Sequence, residues 1–254
     1  LRPQSRGWLG ADGAVSIPLG KRKNLWLFGD TILGTMTPAG KRSGTIVRNT
    51  IGLQDLKADA PGRIEYYWDL TDRIPGSFFM AEGFDQNFWY WPMTGAMVDG
   101  QLYIFLFKIF SGDDPGGLSF TTAGMELVRI PNPLAPPARW KKIRTEFNIG
   151  DNHQNFCSAV LVEKPYLYLF GFDDGPENKP LERRMVLARV KIQDLRKGKG
   201  SEAFEFWVEG EHINIRIKGK PAVLSTFRDC TERVRHEMAM KEEADVLRLE
   251  NIHL

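Results

Sequence analysis

The chain is poor in the residues that most often announce chemistry. Only two of its 254 residues are cysteine and four are histidine. Cys157 and Cys230 allow at most one disulfide, and the sequence does not decide whether they pair. His153, His212, His236 and His253 are scattered, without the Cys/His spacing of a structural zinc site, so no metal is expected. No apolar run approaches the roughly 20 residues of a membrane-crossing helix. A net charge of +2, with basic residues scattered among acids, leaves no electrostatic footprint for nucleic acid. Gly116-Gly117 and Gly198-Lys-Gly200 read as loop glycines, because neither pair follows a strand and opens a helix as a phosphate cradle does. No serine or cysteine sits in a nucleophile elbow, and no cofactor is expected. The sequence opens at Leu1 without an initiator methionine or a signal-like segment, so either a leader has been removed or this is a piece of a longer chain.

What is present is ordinary in amount and patterned in order. At 42% hydrophobic and 26% charged, the chain has the composition of a globular protein large enough to bury a sizeable core. Three stretches resemble one another. The first runs through Ala14–Leu19, Asn24–Asp30 and Thr50–Leu53 to Tyr67-Trp68. The second runs through Gly95–Val98, Gln101–Phe107 and Met125–Ile130 to Arg139-Trp140. The third runs through Ser158–Leu161, Tyr166–Phe172 and Met185–Val190 to Phe206-Trp207. Each reads as an apolar strand, a turn, an aromatic strand, a third strand and a tryptophan-ended fourth. Four antiparallel strands, repeated, is the pattern of propeller blades. The expected fold is therefore all-β, with blades over about 7–70, 71–145 and 150–210; a β-sandwich of chance-similar strands is the alternative. Residues 211–224 alternate like one strand. From Thr226 to Leu249, Phe227, Cys230, Val234 and Met238 fall at helical spacing, which predicts an amphipathic helical tail.

The clearest chemical pattern lies in the first repeat. Val15, Ile17 and Leu19 alternate with smaller or polar residues, Gly20 to Asn24 is a polar turn, and Leu25 to Gly29 is a second apolar strand. A hairpin centred near Arg22 returns Asp12 and Asp30 to the same end. Two carboxylates roughly 5 to 10 Å apart are what glycosidic-bond hydrolysis requires, one to protonate the leaving oxygen and one to attack or to activate water. Trp26 and Phe28 on the same hairpin are expected to desolvate one member of the pair and so separate their pKa values. Each aspartate has a plainer reading as a turn cap.

Gly10-Ala-Asp-Gly-Ala-Val-Ser-Ile-Pro-Leu, then Leu25-Trp-Leu-Phe-Gly-Asp-Thr and Val47-Arg-Asn-Thr-Ile-Gly-Leu, resemble the opening of the DUF4185 family. That resemblance covers about residues 7–210. It implies a five-bladed propeller of the glycosidase type, about three blades of which are recognisable here, and a hydrolase of furanosyl linkages, some members of that family being endo-acting D-arabinan hydrolases. It implies Asp12 and Asp30 as the working acids and Asn49 as a substrate-contacting neighbour. Related propeller glycosidases carry further acids on the inner strands of blades two and three. Here those places read Trp91-Pro-Met-Thr-Gly and His153-Gln-Asn-Phe-Cys-Ser, with Glu82, Asp85 and Asp151 the nearest acids in sequence.

Other candidates are weighed against packing. Phe88-Trp-Tyr-Trp91 offers Trp89 and Trp91 as stacking platforms for sugar rings, or as packing between sheets. His153, between Asn152 and Asn155, reads as a hydrogen-bonding group for sugar hydroxyls or as a surface loop histidine. Asp113-Asp114 and Asp173-Asp174 lack metal spacing and read as turns. The carboxylate pair points to a glycoside hydrolase of a polysaccharide or oligosaccharide, and the resemblance implies furanosyl, arabinan-like linkages as its target. Export to the periplasm or outside the cell is expected from that substrate. The alternatives are a carbohydrate-binding or interaction propeller without catalysis, or an inactive fragment.

Overall fold

The computed structural model describes residues 6–56, 62–71, 73–80, 87–112, 120–147, 154–173, 184–217 and 220–229. Their regular structure is almost wholly strand, which bears out the all-β expectation. The chain divides into two compact units, residues 1–144 and 145–254, with the division inside a strand.

The first unit opens with β1 (Arg6–Ala11), β2 (Val15–Gly20), β3 (Lys23–Phe28), β4 (Thr31–Met36), β5 (Arg42–Val47), β6 (Thr50–Asp55) and β7 (Ile64–Tyr67). Strands β2, β3, β6 and β7 form one antiparallel sheet in that order, with Leu25 opposite Ile17 and Leu53. Ile17, Leu19, Leu25 and Leu27 point inward by the period-2 alternation of a half-buried strand. Pro18 is tolerated because β2 is an edge strand, where its missing N–H breaks no ladder. The segment between β3 and β6, which the repeat pattern leaves as a loop, is a hairpin of its own. Its strands β4 and β5 pair with β1 in a three-stranded sheet ordered β1-β4-β5. Trp8 of that sheet stacks on Tyr66 at 4.2 Å between ring centroids. With Phe28, Leu33 and Val47 it forms a small second core, against which Trp26 and Trp68 pack.

After the short pair β8 (Asp69–Thr71) and β9 (Ile74–Gly76) come β10 (Phe88–Val98), β11 (Gln101–Ser111), β12 (Phe120–Ile130) and β13 (Ile143–Glu146), a four-stranded antiparallel meander. Leu102, Ile104, Leu106, Val128 and Ile130 meet Ile17, Leu25, Leu27 and Ile51 of the first sheet in the main core, with Phe78, Phe79 and Trp140. Burying one such side chain contributes about 1.5–3 kcal/mol, so this layer carries much of the unit's stability. Trp140 lies before the fourth strand rather than ending it, and its indole N–H donates to the Ala135 carbonyl at 2.9 Å. Trp68 follows β7 directly. The repeated tryptophans thus stand at different places in their sheets.

The second unit is a five-stranded antiparallel meander of β14 (Gln154–Glu163), β15 (Tyr166–Asp173), β16 (Arg184–Lys191), β17 (Phe204–Ile217) and β18 (Lys220–Asp229). A one-turn helix, α1 (Ile192–Arg196), links β16 to β17 and buries Ile192 and Leu195. Phe147 meets Phe204 edge-on at 4.5 Å, and Phe156 meets Phe206 at 5.5 Å. The stretch read as one strand over 211–224 runs through the end of β17 and into β18. The first residues of the expected helix, Thr226–Asp229, lie in β18, and the remainder lies outside the described residues. Among the described residues no helix is long and apolar enough to cross a membrane.

Candidate active site

The chain leaves β1 at Ala11, and Gly13, at φ +62°, turns it into β2. That left-handed conformation is cheap only for glycine, so the Asp-Gly pair fixes where Asp12 sits. Its N–H donates to the Asp30 carbonyl at 2.9 Å, and its carbonyl accepts the Gly29 N–H at 2.9 Å. Asp12 and the Gly29-Asp30 bend are therefore backbone neighbours, at one end of the β2–β3 hairpin as the sequence predicts. A buried chain of hydroxyls backs the bend. The Thr31 hydroxyl donates to the Gly29 carbonyl at 2.8 Å and lies 2.9 Å from that of Thr50, which accepts the Trp8 indole N–H at 3.1 Å.

Asp12 is exposed. Asp30 is partly covered, and both its oxygens are engaged: Oδ1 accepts the Trp91 indole N–H at 3.0 Å, and Oδ2 the Arg48 Nη1 at 3.2 Å. The Arg48 guanidinium carbon lies 4.3 Å from the centre of the Trp89 ring. Trp89 and Trp91 meet at 6.2 Å, and Phe120 packs edge-on against both, at 6.1 and 5.0 Å. The result is a patch of three aromatic rings with one aspartate and one arginine, beside the exposed Asp12.

Several expected members lie elsewhere. Trp26 donates its indole N–H to Gln54 Oε1 at 2.8 Å and packs with the Trp8 core, and Phe28 is buried in that same core. Both lie on the face of β3 that packs on Trp8, and the chain leaves β3 after Phe28, so that Asp30 turns to Trp91 of β10 instead. Asn49 is fully buried. Its Nδ2 donates to the carbonyls of Phe79 and Tyr90 at 3.0 and 2.8 Å, and its Oδ1 accepts the Phe79 N–H at 2.7 Å. It is a backbone staple, not a substrate contact. His153 lies outside the described residues, as do Glu82, Asp85, Asp113, Asp114, Asp151 and Asp174.

Glu126, buried in this unit, accepts the Tyr90 hydroxyl at 2.6 Å and pairs with Arg144 at 3.2 Å. Tyr90 alternates with Trp89 and Trp91 along β10 and faces the core, so Glu126 is turned away from the aspartate patch. Among the described residues no cluster of three or more His, Cys, Asp or Glu side chains is arranged to hold a metal. In the second unit, Asp173 accepts the Gln154 side-chain amide at 3.2 Å. Cys157 is fully buried, and burial pushes its thiol well above the ordinary range, which leaves it without the thiolate that reactivity needs. Native protein treated with iodoacetamide at pH 8 is expected to stay unmodified at Cys157 and to be modified there after denaturation, read by peptide mass mapping. Rapid modification of the native thiol would contradict the buried placement.

Arg48 and Phe120 are the members that sequence reading does not single out. Arg48 stands in the Val47-Arg-Asn-Thr stretch, but nothing local marks it as the partner of Asp30. That pairing arises because β5 ends beside the bend.

The profile of DUF5005, a domain of unknown function, matches residues 1–231, and the chain belongs to that family. This match overturns the resemblance to DUF4185. The shared stretches were an Asp-Gly turn and a Phe-Gly-Asp bend joined by apolar strands, features that any such hairpin can present. No curated protein matches the chain. A crystal structure of a candidate hydrolase from Bacteroides ovatus ATCC 8483 is similar in fold, with a TM-score of 0.59 at 18% identity. The match covers 89% of this chain and 56% of that one, so the chain spans a little over half the length of that relative.

Proposed function

We propose that this member of the DUF5005 family is a hydrolase of glycosidic bonds, with Asp12 and Asp30 as its working carboxylates. The observation that carries the reading is the Asp30 carboxylate, oriented on both oxygens beside Asp12 and bordered by Trp89, Trp91 and Phe120. Aromatic rings next to paired acids suit a sugar, whose flat C–H faces bury on aromatics while its hydroxyls bond carboxylates. Asp30, fixed in orientation, takes the part of nucleophile or of the base that activates water. Asp12, exposed at the rim, delivers the proton to the leaving oxygen. The fold similarity to a candidate hydrolase supports the reaction class. We read the successive antiparallel meanders as propeller-type blades, about three of them in this chain. A polysaccharide substrate carries with it an exported protein.

One observation favours a second reading, a carbohydrate-binding domain without turnover: Arg48 occupies an Asp30 oxygen that catalysis would use. Release of reducing ends from a panel of polysaccharides, arabinan, xylan, mannan and galactan among them, separates the two. Release by the wild-type protein establishes hydrolysis. Retention of the protein on one of these polymers, without release, moves the conclusion to binding.

A further inference from the structure

Resting on the carbohydrate reading above, we infer that the Arg48 side chain is an internal occupant of a sugar subsite between Trp89 and Asp30. Ligand must displace it, and the vacated subsite selects neutral sugars over acidic ones. The guanidinium makes the two contacts that a bound sugar ring makes in an aromatic–carboxylate site. Its central carbon lies over an indole, 4.3 Å from the ring centre, and its Nη1 donates a hydrogen bond to a carboxylate oxygen at 3.2 Å. A sugar ring cannot stack on that face of Trp89 or reach Asp30 Oδ2 while Arg48 is there.

The side chain can leave without the backbone moving. Asn49 is stapled to Phe79 and Tyr90, and the Arg48 N–H is held by the Ser77 hydroxyl at 3.0 Å, so the main chain on both sides is fixed. The Arg48 side chain itself is 46% exposed. Ion pairs and cation–π contacts at that exposure are weak and readily exchanged for water.

Specificity follows from the charges left behind. With Arg48 turned out to solvent, Asp30 loses the cation paired with its Oδ2 and stands beside Asp12 as a second uncompensated carboxylate. A hydroxyl donates to such oxygens, whereas a uronic carboxylate offers no donor and is repelled.

The test titrates wild-type protein, Arg48→Ala and Arg48→Gln with neutral arabino-, xylo-, manno- and galacto-oligosaccharides and with oligogalacturonate, following heat release and tryptophan fluorescence. Circular dichroism confirms that the variants are folded. A neutral oligosaccharide that binds the wild type is expected to bind both variants more tightly, by about tenfold for Arg48→Ala, the combined size of the two contacts removed. Oligogalacturonate is expected to bind none of the three measurably. Unchanged or weaker binding by the variants, or a preference for oligogalacturonate, overturns the inference and leaves the carbohydrate reading standing. Failure of every sugar to bind any of the three proteins overturns both.

Discussion

Asparagine in place of Asp30 is expected to slow glycosidic hydrolysis by about 10²–10⁴-fold, the usual contribution of a positioned acid–base group. The substitution keeps the shape of the side chain and an oxygen to accept from Trp91 or Arg48, and removes the charge that attacks or draws a proton from water. It should leave the fold nearly untouched, because the ion pair lost is partly exposed and such pairs contribute about 0–1 kcal/mol. The melting midpoint therefore moves by no more than a few degrees. Reducing-end release, measured beside a thermal melt, reports both quantities. Hydrolysis at the wild-type rate in a folded Asp30→Asn protein would falsify the catalytic role of Asp30. Asp12→Asn should be similarly impaired on substrates with poor leaving groups. On an aryl glycoside, whose leaving group needs little protonation, it should be impaired less, which separates proton delivery from attack.

The second large effect falls on stability rather than turnover. Asn49→Ala removes two donors and one acceptor from a fully buried position, and strands two carbonyls and the Phe79 N–H where water does not reach. An unsatisfied buried group costs about 1–3 kcal/mol, so a loss of roughly 3 kcal/mol or more is expected. For a unit of this size that lowers the melting midpoint by about 6–12 °C. Asn49→Asp restores only the bond to the Phe79 N–H and places an acceptor against two carbonyls, so it should not rescue. The bend at Phe78-Phe79 is also held by Lys142, whose amine donates to the Phe78 carbonyl at 2.7 Å, and by Arg144, which bonds the Met80 carbonyl. A melting midpoint unchanged by Asn49→Ala would show that these two suffice and that the staple is redundant.

The contrast between Asp30 and Asn49 shows what a sequence of this kind can reveal. Strands and their succession are legible because alternation and apolar runs are local: Ile17 and Leu19 turn inward, and Leu102 to Phe107 are buried almost without interruption. The Asp12–Asp30 neighbourhood is legible because a hairpin converts sequence distance into spatial adjacency by one rule. The pairing of β1 with β4 is not, since β4 and β5 carry Gly34 and Gly44 directly opposite each other and five of the six β5 residues are exposed. Little apolar alternation remains to announce such strands. Nor is the direction of an asparagine. Asn49 offers a ligand-ready amide on paper, and three backbone groups from distant segments consume it. Trp26 and Trp91 differ in the same way. Both are tryptophans near an acid in some reading of the chain, and only the register of β10 against the bend puts the Trp91 indole on Asp30.

Nearly every strand here pairs with its neighbour in the chain, the exceptions being β1 with β4 and β3 with β6, which still close within the first 55 residues. Contacts so local form quickly, and a nascent polypeptide can complete each meander soon after it clears the ribosome. The aromatic–aspartate patch does not share that schedule. Asp12, Asp30 and Arg48 are in place with the first sheets, but the indole that steers Asp30 and the ring beneath Arg48 arrive only with β10. During synthesis the chain thus passes through an interval in which both acids are presented without the aromatic rings beside them, and the patch is complete only with the second meander.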